Sequence, residues 1–162
     1  MVCNHHYLHK WPAVVMGVHV MRVDDYPVGV IVYAMPPRET EARYGGSTWE
    51  LARLWVDDAM PRNSETWFVA QSMRILKRTG TPMFVVSYAD PAHGHKGIIY
   101  RAGNWQRDGM TDEGRKTPRH DYVVAGKRYG RSAHAGTAQV ERVPRGSKYR
   151  YMMQLHTGAI AQ

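Results

Sequence analysis

The stretch from Trp49 to Asp90 restricts the fold of this chain more than any other. WELARLWVDD, Trp49 to Asp58, is rich in the aromatic and branched residues of a strand, and AMPRNS after it is turn chemistry. From Ser64 to Arg78 the spacing turns helical, with Val69, Met73 and Leu76 on one face. Asn63 or Ser64 supplies an N-cap, Arg74, Lys77 and Arg78 complement the dipole in the last turn, and Gly80 stops the helix. TPMFVVSY, Thr81 to Tyr88, reads as a buried strand that ends in Ala-Asp-Pro. A strand, a helix and a second strand imply parallel neighbours in a mixed sheet with the helix packed on it.

Strand candidates flank this unit. AVVMGVHVMRV, Ala13 to Val23, and VGVIVYAM, Val28 to Met35, are joined by the turn DDYP and form an antiparallel pair. Pro36, Pro37 and RETEAR break the pattern into an exposed loop, and NHHYLHKWP at the start suits a short helix or ordered turn. HGHKGIIYRAGNW gives a short helix, Gln106 to Arg119 reads as a loop, and DYVVAG from Asp121 and KYRYMMQL from Lys148 are two further strands. The expectation is one α/β domain over 1–162, with a mixed central sheet of six or seven strands and few helices.

Charge divides the chain. Up to Asp90 there are 9 basic and 9 acidic residues; from Pro91 onward there are 13 basic and 5 acidic, so the formal charge of +8 lies entirely in the C-terminal half. A basic half, about 91–155, with interleaved aromatics and few acidic residues to balance it, suits a polyanion such as double-stranded DNA. Candidate phosphate contacts there are His93, His95, Lys96, Arg119, Lys127, Arg128, Arg131, Arg145, Lys148 and Arg150. A single cysteine, Cys3, makes no internal disulfide, and neither a signal peptide nor a membrane-length apolar run is present, so the expected compartment is the cytoplasm and no membrane partner is expected.

The order of elements resembles the core of the GCN5-related N-acetyltransferases. ELARLWVDD with its turn and helix is similar to their central strand and donor-binding helix, and VVSYAD followed by YRAGNW to their next strand and Tyr-x-x-x-Gly-Phe helix end. Asn104 stands where a left-handed conformation is wanted. The glycine loop that cradles a pyrophosphate in that family is replaced by Arg62, Asn63, Ser64, Glu65 and Thr66, and Glu65 would repel a phosphate. HHY near the start, ELARLWVDD, PRNSE, SYADPAHGHKGIIYRAGNW and the late KYRY together resemble something narrower, the Mom family of phage DNA-modification proteins. That resemblance implies conversion of adenine in DNA to its N6-carbamoylmethyl form, which protects phage DNA from restriction, and it implicates His6, Tyr7, Asp90 and Tyr100.

The residues have their own chemistry. Asp90 ends a buried strand and Pro91 holds it extended, so its carboxylate projects at the sheet edge where ligands of open α/β sheets gather. Apolar surroundings would raise its pKa and suit it as a base for the adenine amine, or it caps the next turn. Tyr100 matches the position that protonates the leaving group in acetyltransferases, or it is a helix tyrosine packed on the sheet. Arg53 alternates with Leu51 and Trp55 on a strand that should be buried, and so needs a partner, such as Asp90 or a donor carbonyl, unless the strand end is solvated. Arg62, Asn63, Ser64 and Ser87 are candidates for holding the donor, the middle two while also capping the helix. His6, Tyr7, His93 and His95 with Asp90 and Tyr100 form a ligand set for iron or zinc, or make ordinary polar contacts. Tyr7, Trp11, Tyr88 and Trp105 are candidates for stacking on a flipped base.

The expected activity is therefore acyl or aminoacyl transfer to adenine N6 in DNA. Acetyl-CoA or an activated glycyl donor such as glycyl-tRNA would supply the group, tRNA then being a second polyanionic partner. The alternatives are an N-acyltransferase for a small amine or protein, and a non-catalytic DNA-binding protein.

Overall fold

The computed structural model describes residues 11–124, 126–129 and 141–156. β1 (Val15–Val23) and β2 (Tyr26–Ala34) pair antiparallel. Asp24 and Asp25 turn between them with φ of 45° and 67°, the positive pair that a tight hairpin turn requires. β3 (Thr48–Val56), α2 (Ser64–Thr79) and β4 (Phe84–Ala89) form the anticipated unit, and β3 and β4 are parallel. α3 (Ile98–Ala102) is the short helix expected after Asp90, and Asn104 takes the anticipated left-handed conformation at φ 60°. β9 (Tyr149–Gln154) returns antiparallel between β4 and β5 (Gln106–Met110), giving a six-stranded sheet in the order β1-β2-β3-β4-β9-β5.

Three elements depart from the sequence reading. RETEAR is not a loop but part of α1 (Arg38–Tyr44), with Glu39 and Glu41 in its first turn and Arg43 in its last, as the helix dipole favours. Its single buried residue, Thr40, hydrogen-bonds the Tyr88 hydroxyl at 2.8 Å, a tertiary anchor that overrides the flanking prolines. QRDGM is the edge strand β5 despite its polarity, because an edge strand needs a partner backbone more than an apolar face. A second sheet, β7-β6-β8, is built from β6 (His120–Val124), β7 (Lys127–Tyr129) and β8 (Glu141–Pro144), the last within what read as a basic, glycine-rich connection.

The main core lies on the α2 face of the large sheet. Phe68, Val69, Met73 and Leu76 pack there on Ile31, Tyr33, Leu51, Val85 and Tyr151. The opposite face carries Val30, Val32 and Trp55. Ser72, fully buried on α2, bonds the Tyr33 hydroxyl and lies 2.6 Å from His19 Nδ1, so the one polar residue on that helix face is satisfied.

The parallel ladder is short. Only Thr48, Trp49 and Glu50 pair with Phe84, Val85 and Val86; beyond them β3 and β4 separate. β3 also bulges against β2, where Val32 faces Arg53 but Tyr33 faces Leu51, leaving Ala52 as the extra residue. The bulge reverses the alternation of side chains. Leu51, Leu54 and Val56 face the main core, whereas Trp55 packs on the opposite face and Arg53 follows it.

Candidate active site

The separation of β3 and β4 opens a cavity of about 490 Å³ on the α2 face. Leu51, Leu54, Ser87, Lys96, Tyr100 and Glu65 are among its walls. Ser87, 1% exposed, closes its floor: Oγ donates to the Leu51 carbonyl at 2.9 Å and lies 2.7 Å from Tyr100 Oη. Ser87 has one proton to share between these two acceptors, the Leu51 carbonyl and the Tyr100 oxygen. Tyr100 is 7% exposed, with the Trp105 and Tyr151 ring centroids each 5.2 Å from its own. Gly97, at φ 68° before α3, lies against Tyr151, where a Cβ would fall inside the ring. Tyr151 packing thus requires glycine there, and the glycine sets the helix that carries Tyr100.

The start of α2 borders the same cavity. Asn63 occupies the N-cap position at φ 69°, but its side chain makes no cap bond, and the Ser64 hydroxyl donates back to the Pro61 carbonyl at 2.6 Å. The side-chain cap expected of these two residues does not form. Instead, Asn63 supplies the left-handed turn that a glycine would give, and no carbonyl or side chain among the described residues accepts from the Glu65 and Thr66 N–H groups. This backbone suits an anion at the helix start, while the Glu65 carboxylate in the cavity wall opposes one. Arg62 is exposed in the preceding turn.

Asp90 is extended (φ −97°, ψ 105°), as Pro91 dictates, and it does cap the 3-10 turn Pro91–His93 by accepting from Ala92 N at 3.0 Å. Lys148 Nζ lies 3.0 Å and His93 Nδ1 3.3 Å from Oδ2. Burial pushes its pKa up, but Lys148, the Ala92 N–H and His93 together outweigh it and hold the carboxyl below its ordinary value. The expected upward shift is therefore reversed. Sequence reasoning saw the apolar strand but not the lysine delivered by the segment before β9. Arg53 Nη1 donates to the Ala52 carbonyl at 2.6 Å, and its charge acts on Glu50. The bulge puts it on the Glu50 face, not with Leu51.

A larger cavity, about 890 Å³, opens on the α1 face of the same strands. Glu50, Thr40, Tyr88, Lys148 and Arg150 contribute to its wall, and Tyr88 reaches both cavities. Burial raises the Glu50 pKa, partly offset by the charges of Arg53 and Lys148; burial likewise raises that of Tyr88. Sequence reasoning missed Glu50, although a carboxylate inside an otherwise apolar strand was the available signal. Below the cavity, Asp108 receives Arg43 Nε at 2.8 Å and Arg150 Nε at 3.1 Å, tying α1, β5 and β9 together.

The basic half is better balanced than its composition suggests. Lys148 pairs with Asp90, Arg150 with Asp108, Arg145 with Asp121, and Arg119 with Asp112 and, at 3.5 Å, Glu39. A few carboxylates placed against many cations neutralise much of the face. Lys96, Arg101 and Lys116 are exposed and have no carboxylate partner among the described residues; His93 and His95 are exposed beside the smaller cavity. β7 carries Lys127 and Arg128 opposite Val124 and Val123. His6, Tyr7 and Arg131 lie outside the described residues. Among the described residues no group of three or more His, Cys, Asp or Glu side chains is arranged to hold a metal ion, and no helix is long and apolar enough to cross a membrane. Of the stacking candidates, Trp105 is buried against Tyr100, Trp11 is half exposed and Tyr88 faces the cavities.

Similar proteins bear on both fold and site. An aminoglycoside 6'-acetyltransferase type Ii matches with a TM-score of 0.52 at 14% identity, over 88% of this chain and 70% of its own. A Bacillus subtilis acetyltransferase in complex with CoA matches with a TM-score of 0.50 at 11% identity, over 85% of this chain and 75% of its own. These similarities establish an acetyltransferase-like fold. The methylcarbamoylase mom of Escherichia phage Mu is 35% identical over 57 residues, a stretch covering 35% of this chain and 24% of that protein. The match to the Mom protein family runs from residue 1 to residue 161, and this chain belongs to that family.

Proposed function

We propose that this protein transfers a glycine-derived acyl group to N6 of adenine in double-stranded DNA, giving the N6-carbamoylmethyl base and protecting phage DNA from restriction. The observation that carries this reading is the gap between β3 and β4, with a cavity on each face of the sheet and Tyr88 reaching both. A donor on the α2 face and an acceptor on the α1 face meet in that gap. Family membership and the name of the phage Mu relative support the same chemistry.

N6 attacks the acyl carbon, the bond from that carbon to its carrier breaks, and N6 gives up a proton. The carrier atom leaves with a proton from Tyr100. A glycyl adduct and a carbamoylmethyl amine are isomers. The terminal amine attacks C6, the C6–N6 bond breaks, and the former N6 takes up the proton the amine gives up and becomes the carboxamide nitrogen, so no oxidant or reductant is consumed. The carrier is an RNA ester such as glycyl-tRNA, or a thioester of coenzyme A, bound along Arg62, Asn63 and Ser64. Adenine N6 is engaged in base pairing, so the nucleotide leaves the stack to enter the site. Lys96, His93, His95, Lys127, Arg128 and Arg131 hold the backbone, while the paired Lys148, Arg145, Arg119 and Arg150 shape the cavity behind it. His6 and Tyr7, implicated by the family resemblance, are assigned to the same reaction.

Mass spectrometry of nucleosides from plasmid DNA co-expressed with the wild type, Tyr100→Phe and Asp90→Ala tests the reading. Wild-type DNA should contain an adenosine heavier by one glycyl residue, depleted in Tyr100→Phe, which lacks the proton for the departing carrier, and in Asp90→Ala, which releases Lys148 from its place in the cavity wall. Unmodified adenine with the wild type would overturn it. Product formed from acetyl-CoA and a nitrogen source, without any aminoacyl donor, would overturn the glycyl step.

A further inference from the structure

We propose that the cavity on the α1 face receives the flipped adenine and that the Glu50 carboxylate takes up the proton lost by N6. This rests on the reading of the reaction given above and assigns its base. The two carboxylates near the gap differ in occupation. Asp90 is held from three sides, by Lys148, His93 and the Ala92 N–H. Glu50, mostly buried in the cavity wall, accepts no hydrogen bond among the described residues.

Its place in the sheet is as specific as its freedom. Glu50 pairs with Val86 as the last rung of the parallel ladder, so its side chain stands where β3 and β4 begin to part. Ser87, one residue further along β4 and on the other face, and Tyr100 of α3 beside it flank the same parting from the donor side. An acyl carbon passing between the strands would meet a nucleophile held on the Glu50 side and a leaving-group acid on the Tyr100 side. Attack forms the N6–carbon bond and breaks the bond to the carrier; the N6 proton goes to Glu50 and the Tyr100 proton to the departing atom. Arg53 and Lys148 keep a charged Glu50 tolerable in the cavity, and burial keeps its proton affinity above that of an exposed glutamate. Tyr88, fixed by Thr40, offers the purine a ring to lie on.

The test uses the full chain and plasmid DNA modified in cells. Glu50→Gln should lower the modified adenine by at least about a hundredfold, the usual loss for a missing proton acceptor. Its purified form should bind duplex DNA as the wild type does. Glu50→Asp should recover part of the loss, and Glu41→Gln, on the exposed side of α1, should match the wild type. A separate measurement needs no variant: carbodiimide labelling of wild-type Glu50, read by peptide mass spectrometry, should be lost with a duplex carrying mismatched adenines and persist with poly(dG)·poly(dC). Wild-type modification levels in Glu50→Gln, or equal labelling with both DNAs, would overturn the assignment. Absence of modified adenine with the wild type would instead sink the reaction itself.

Discussion

Ser87→Ala, Tyr100→Phe and the double variant probe how the parted strands are held. Ser87 and Tyr100 are 1% and 7% exposed, so bonds between them are not replaced by water. Ser87→Ala removes the contacts of one hydroxyl with two acceptors, the Leu51 carbonyl at 2.9 Å and the Tyr100 oxygen at 2.7 Å. At about 1 kcal/mol per bond, plus the cost of stripping a buried carbonyl of its donor, the loss is about 2–4 kcal/mol. For a chain of this length each kcal/mol lowers Tm by about 2–4 °C, so a fall of about 4–16 °C is expected. Tyr100→Phe removes the bond it shares with Ser87, about 1 kcal/mol. Urea unfolding followed by circular dichroism on all four proteins closes the cycle, and the coupling should equal that shared bond, about 1 kcal/mol. Strict additivity, or a Ser87→Ala cost under about 0.5 kcal/mol, would show that the serine does not join the strands and the phenol.

Other perturbations follow from the same geometry. The Arg43 hydrogen bond, with help from Tyr44 and Arg150 and against burial, holds the Asp108 carboxyl at about 2, below its ordinary value of 3.8. Its contribution, about 1–2 kcal/mol, is complete above pH 3.8 and lost as pH falls through about 2, so the difference between wild type and Asp108→Asn in urea midpoint should vanish over that window. Burial lowers the His19 pKa below 6.5, so the fold prefers the neutral ring; stability is full above that value and declines beneath it. His19→Gln should flatten the fall in Tm between about pH 7 and 5. Gly97→Ala meets both a positive φ and the Tyr151 ring, and should cost about 1–3 kcal/mol in urea unfolding while also depleting the modified adenine.

The central strand–helix–strand unit was legible because its signals are local: apolar runs of strand length, a helical stripe at Val69, Met73 and Leu76, and a glycine stop. The hairpin and the left-handed Asn104 were legible for the same reason. What escaped depends on contacts distant in sequence. α1 is fastened by Thr40 to Tyr88, 48 residues away, and β5 exists because β9 lies beside it. In the site, Tyr100 and Ser87 meet as neighbours of one gap, which their spacing along the chain does not reveal. Asp90 was correctly placed at the strand end, but its electrostatics belong to Lys148, 58 positions later. A one-residue bulge at Ala52 moved Arg53 to the other face, since strand periodicity tolerates no insertion.

The parting of β3 and β4 has a kinetic consequence. If a duplex and a bulky acyl carrier approach from opposite faces of the sheet, as proposed above, they do not compete for an entrance, and neither must depart before the other arrives. The group can pass directly from one to the other inside a ternary complex, with no acylated side chain in between. Initial rates measured at several fixed concentrations of the second substrate should therefore give intersecting, not parallel, double-reciprocal lines.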